Sequence, residues 1–135
     1  MAGSRADKLS RLVRVQRQIE RMTENELSRI LREQALAEAT QDALVEAIGS
    51  LDPVHAAMSH HYAQRFQRLS VRAQHLSGMK AVQEKRVLVE KTKADRLQEQ
   101  AGEAARNEDR LADDETLLDL LEAFLGAAPD STRPA

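Results

Sequence analysis

Four histidines, His55, His60, His61 and His75, are the side chains of this sequence best suited to metal binding or proton transfer. Zinc-binding helices place two histidines four residues apart, so that both face one ion. No pair here has that spacing, and His60 and His61 point about 100° apart on a helix. No cysteine is present to complete a ligand set. Its absence also removes disulfides and thiolate chemistry. The histidines therefore read as solvated helix-face residues, with no metal and no cofactor. Gly78-Met79-Lys80 has one glycine before its lysine and no hydroxyl residue after it, so it does not make a phosphate loop. Serines and carboxylates are scattered over helix faces, where no third layer encloses a pocket to desolvate them. The expectation is a protein that is not an enzyme.

The elements that carry these residues follow from composition and spacing. Of 135 residues, 31% are charged and 2% aromatic. Tyr62, Phe66 and Phe124 are the whole aromatic set. A compact globular core leans on large aromatic side chains, so this balance points instead to long helices and coiled coils. No apolar run approaches the roughly 18 residues that span a bilayer. The opening MAGSRADKLS lacks the apolar segment of a secretory signal. The chain reads as soluble and intracellular, without membrane insertion. Its net charge of −2 conceals four blocks. Lys and Arg against Asp and Glu number 8 to 4 in residues 1–32, 0 to 5 in 33–64, 9 to 3 in 65–96 and 3 to 10 in 97–135.

Residues 48–58, IGSLDPVHAAM, are the break in this pattern. Gly49 suits a left-handed helix stop, Asp52 suits an N-cap and Pro53 suits a first helical position. A connection this short makes the flanking helices antiparallel neighbours. The predicted fold is all-α: one domain over 1–135, a two-helix antiparallel coiled-coil hairpin with a longer second helix. Helix 1 is expected over about 5–48, the turn over 49–53, helix 2 over about 53–125 and a disordered tail over about 126–135. The expected apolar stripe of helix 1 is Leu9, Leu12, Ile19, Met22, Leu27, Ile30, Ala37, Leu44 and Ile48. Gln16, Glu33, Gln34 and Gln41 interrupt it. In helix 2 every seventh residue from Tyr62 reaches Leu69, Leu76, Gln83, Glu90, Leu97, Ala104, Leu111, Leu118 and Leu125. A companion series runs from Phe66 through Ala73, Lys80, Val87, Ala94 and Ala101 to Glu108, Glu115 and Glu122. A seven-residue repeat held this long implies supercoiling against a partner helix. Gly78 and Gly102 lie inside helix 2 as hinges or tolerated residues.

Two partner-binding surfaces follow. A hairpin centred on Leu51 pairs residue i with about 102−i. That register sets acidic helix 1 residues beside Arg65 and Arg68, and leaves residues from about Gln98 to Leu125 without an intramolecular partner. The overhang keeps an apolar stripe, with Leu111, Leu118, Leu121 and Leu125 as docking candidates. Its glutamates, Glu108, Glu115 and Glu122, oppose tight homodimerisation, so the expected state is a monomer or weak self-association. The same register brings two basic blocks together and suggests an acidic protein partner, with Arg11, Arg14, Arg86 and Lys93 as its contacts. Arg5, Lys8, Arg11, Arg14 and Arg17 step by three and spiral around the helix. Aromatic stacking platforms are missing, so no nucleic acid is expected.

The run LSRLVRVQRQIER at 9–21 resembles the opening of the flagellar export protein FliJ and its type III secretion relatives, the YscO family. The run EKRVLVEKTKADRLQEQAGEAARNEDRLADDE at 84–115 is similar to the charged second helix of that group. The resemblance covers most of the chain from Lys8 to about Leu125, through size, a break near residue 50 and charge style. The run LLDLLEAFLGAAP at 117–129 is more apolar than that family's C-terminus. The resemblance implies a non-enzymatic, cytoplasmic coiled coil at the inner face of the secretion apparatus. It implies a stalk-like partner of the export ATPase ring, the export gate and export chaperones. A generic coiled-coil adaptor or scaffold, unrelated to secretion, is the alternative.

Overall fold

Ser4 starts the first helix. Its Oγ accepts the Asp7 N–H at 3.1 Å and its carbonyl accepts the Lys8 N–H at 3.0 Å. Asp7 adds a negative charge to the first turn, where free amides make it favourable. The computed structural model describes residues 3–127. In it α1 runs Arg5–Ile48 and α2 runs Pro53–Ala127, 44 and 75 residues long. The chain is all-α, an antiparallel pair of helices of which the second is longer, with no strand among the described residues. α2 passes through Gly78 and Gly102 without a break and reaches two residues beyond the expected end at Leu125. The rest of the expected tail, 128–135, lies outside the described residues.

The connection is built as a stop followed by a start, but one part of it differs from expectation. Asp52 caps α2 as expected: its Oδ1 accepts the Val54 N–H at 2.9 Å and its carbonyl accepts the Ala56 N–H at 3.0 Å. Gly49 is not left-handed, since no described glycine has a positive φ. Its N–H still bonds the Val45 carbonyl at 3.1 Å, and the next amide, Ser50 N–H, tightens onto Ala47 at 3.2 Å. Ser50 Oγ then accepts the Asp52 N–H at 3.1 Å. The chain therefore leaves α1 by narrowing its last turn, and hydroxyl and carboxylate side chains satisfy the reversal.

By contact density the chain divides into two units. Unit 2, Gln16–Lys93, contains the turn and a closed helical pair. Its buried centre holds Ile30, Ala37 and Leu44 from α1 and Leu76 from α2, with Ile30 and Leu76 the largest fully buried side chains. Burying each of these two stabilises by about 1.5–3 kcal/mol. The seam also carries polar residues. Gln83 is buried and donates to the Thr23 carbonyl at 3.0 Å. Gln41 donates to Ser70 Oγ at 3.0 Å. Gln16 donates to the Glu90 carboxylate and, at 3.2 Å, to the Glu90 carbonyl. Unit 1 joins Met1–Val15 with Ala94–Ala135. Its described core is made of small side chains, Ala6, Ala94 and Ala104.

Both α2 heptad series are inward as expected, from Tyr62 and Phe66 as far as Ala104 and Glu108. The α1 stripe needs correction. Leu12, Ile19, Met22 and Ile48 are exposed, whereas Val13, Gln16, Glu20, Thr23, Gln34 and Gln41 lie on the inner face. The inward positions repeat every seven residues whatever their polarity, because the partner's supercoil fixes the phase. The register also moves. Gln16 meets Glu90, not residue 86; Thr23 meets Gln83, not residue 79; Glu33 pairs with Arg72 at 2.8 Å, not with residue 69. Side-chain pairing along the seam sets the register, and the midpoint of the turn does not. An added Cβ at Gly49 would meet only the Val45 and Glu46 carbonyls, at 3.6 and 3.7 Å. Gly49→Ala is therefore expected to raise stability by about 0.4–1 kcal/mol. A urea melt checks this, and a loss of stability would mean a left-handed glycine after all.

Candidate functional site

Glu108 divides the packed part of α2 from its free part. In unit 1 its Oε1 accepts the Ala6 N–H at 3.0 Å. That amide belongs to the first turn of α1, where no intrahelical acceptor exists, so a carboxylate there is both hydrogen-bonded and favourably placed against the helix dipole. Ala104, one turn earlier, is buried. The expected overhang from Gln98 is thus shorter: the seam continues through Ala104 to Glu108, because the register lies further along α2. Every side chain from Leu111 to Gly126 is exposed.

The free stretch keeps the four expected docking leucines. Leu111, Leu118, Leu121 and Leu125 are 65%, 58%, 48% and 65% exposed. The heptad reading missed Leu117 and Phe124, which are also exposed. With no partner helix to supercoil against, this segment keeps the 3.6-residue period. On that period Leu117, Leu118, Leu121, Phe124 and Leu125 share one face, and Glu115, Asp119 and Glu122 form its acidic edge. The signal that would have revealed Leu117 and Phe124 is a change of period at Glu108, where the seam stops.

The basic candidates fall in two places. Arg11 and Arg14 are exposed on α1 in unit 1, one turn apart. Arg86 and Lys93 are exposed on α2 in unit 2, two turns apart on the same face. Lys93 Nζ lies 3.4 Å from Glu90 Oε1, so part of its charge is answered within the unit. Arg86 borders an open recess that also includes Glu26, Ile30, His75 and Val82. The other histidines sit on local contacts: His55 Nδ1 is 3.0 Å from the Tyr62 hydroxyl, and His60 is 3.2 Å from Gln64. No three metal-ligating side chains gather among the described residues. No described helix is long and apolar enough to cross a membrane. No family model, curated protein or solved structure matches this chain.

Two carboxylates are tuned by their neighbours. The Gln16 amide, then Lys93, holds the Glu90 carboxyl below the ordinary carboxylate range. The Arg29 guanidinium, bonded at 2.5 and 3.1 Å, does the same to Glu26. A depressed folded-state pKa contributes stability that is fully present above the ordinary carboxylate value and is lost as the pH falls below it and through the depressed one. Glu90→Gln is therefore expected to make the loss of stability between about pH 5 and pH 3 shallower. Melting curves across that range test it, and an unchanged slope would remove Glu90 from the account. Truncation gives a separate test of the boundary. Ending the chain after Arg110 should leave the thermal transition unchanged. Ending it after Ala105 should remove the Glu108 cap and cost about 0.5–2 kcal/mol.

Proposed function

We propose that this chain is a non-enzymatic coiled-coil component of a flagellar or type III secretion export apparatus. In this reading it acts in the cytoplasm, at the inner face of that apparatus. It is a stalk-like partner of the export ATPase ring, and it also engages the export gate and export chaperones. The observation that carries the reading is the asymmetry of the pair. The seam closes at Glu108 while α2 continues for about five more turns with its apolar face uncovered. Such a chain offers a packed helical pair for one partner and a free amphipathic helix for another. The resemblance of residues 9–21 and 84–115 to the FliJ and YscO group supplies the identity of those partners. The chemistry of transport belongs to the ATPase, and this chain contributes surface.

Charge gives the reading its detail. Exposed Arg11, Arg14 and Arg86, with Lys93, suit an acidic protein surface, and contact through them is weakened by salt. The second reading is a coiled-coil adaptor without any role in secretion. It is favoured by the apolar character of the run at 117–129, which exceeds that of the family's C-terminus.

Binding to the export ATPase of the same organism separates the two. The export reading expects complex formation at low salt. Reversing Arg11, Arg14, Arg86 and Lys93 to glutamate should weaken it roughly tenfold or more with helicity intact. No complex with the ATPase, or an affinity indifferent to all four reversals, would leave the adaptor reading standing.

A further inference from the structure

In unit 1, Leu12 and Val15 are exposed on α1, and with Lys8 and Arg11 they line a shallow groove. Its lining is apolar, formed by the two aliphatic side chains and by the stems of the two cations. The free part of α2 is its chemical complement. Leu117, Leu118, Leu121, Phe124 and Leu125 make an apolar face, edged by Glu115, Asp119 and Glu122. Residues 111–127 contain five acidic side chains and no basic one. The dimensions agree as well. Residues 8–15 and residues 117–125 each span about 10–12 Å along their helix.

We infer that the acidic amphipathic end of α2 in one copy of this chain docks onto the Lys8–Arg11–Leu12–Val15 groove of a second copy. The contact cannot form within one molecule. Beyond Glu108, α2 runs away from the groove, which lies on the other side of the Ala6 contact. It does so as unbroken helix, with no glycine or proline between 103 and 125 at which to turn back. Pairing two free ends with each other sets Glu115, Asp119 and Glu122 of one against the same residues of the other, which like-charge repulsion opposes. Tail on groove instead sets carboxylates against ammonium and guanidinium groups. The exchange is mutual, each copy giving its tail and receiving the other's, so it closes as a two-fold dimer. An interface of this small size is weak and salt-sensitive. The inference goes beyond the export reading and stands without it.

Sedimentation of the full chain over a range of concentrations, at low and high salt, tests the inference. The expected result is a concentration-dependent dimer that dissociates as salt rises. Lys8→Glu with Arg11→Glu should give a monomer, and so should Glu115→Lys with Asp119→Lys and Glu122→Lys. An equimolar mixture of the two variants should dimerise again, because each reversed tail then meets a reversed groove. Circular dichroism verifies that both variants remain helical. A wild-type chain that stays monomeric at low salt overturns the inference. So does a mixture that fails to associate, or a dimer that survives reversal of Lys8 and Arg11, which would mark pairing of tail with tail.

Discussion

The seam between α1 and α2 is the constraint on which everything else depends. It admits side chains at alternating steps of three and four residues, and it does so whether they are apolar or not. Ile30 and Leu76 fill it with hydrocarbon, while Gln83 and Gln41 occupy equivalent positions and are satisfied across it. A polar residue in such a seam gives up burial energy and gains positional definition, since only one register lets its amide find a partner. Gln83 on Thr23 and Gln16 on Glu90 both demand the same displacement along α2. In unit 1 the bond of the Ala6 amide to Glu108 marks how far α2 extends past the start of α1.

That extension is what gives the chain a functional surface. Were the two helices to end together, their apolar stripes would be consumed against each other. Because the register ends the seam at Glu108, the following leucines and Phe124 face outward with acidic neighbours. Glu108 itself has a double role. It closes the seam by answering a free amide of α1, and it is the last α2 side chain drawn inward. Beyond it nothing constrains the helix to supercoil, so the apolar face follows the helix's own period.

The exposed cations have a related origin. α1 carries a cation every three residues from Arg5 to Arg17, and these spiral around the helix, so some fall beside the seam and others away from it. Arg17 is drawn to Glu20 at 2.8 Å, while Arg11 and Arg14 remain outward. Leu12 and Val15, apolar yet excluded from the seam by its phase, become the floor between outward cations. One geometric rule thus generates both the basic groove and the acidic free end in unit 1.

The sequence by itself determined the class of structure, the position of the reversal and the inward face of α2. Breakers gathered at Gly49–Pro53 end one helix and start another through local hydrogen bonds alone. The heptad from Tyr62 is long enough to declare its own phase. Local pattern did not determine the inward face of α1, where Leu12, Ile19 and Met22 look as suitable as Val13, Gln16 and Glu20. Hydrophobicity cannot choose between two faces when the partner accepts polar groups by hydrogen-bonding them. Nor was the Gly49 conformation legible, because Ser50 and Asp52 together supply what a left-handed residue would otherwise provide. The register, and with it the boundary at Glu108, was decided only in the tertiary structure. It rests on bonds between residues sixty or more positions apart, such as the Ala6 amide with the Glu108 carboxylate and the Gln83 side chain with the Thr23 carbonyl, which no local periodicity encodes.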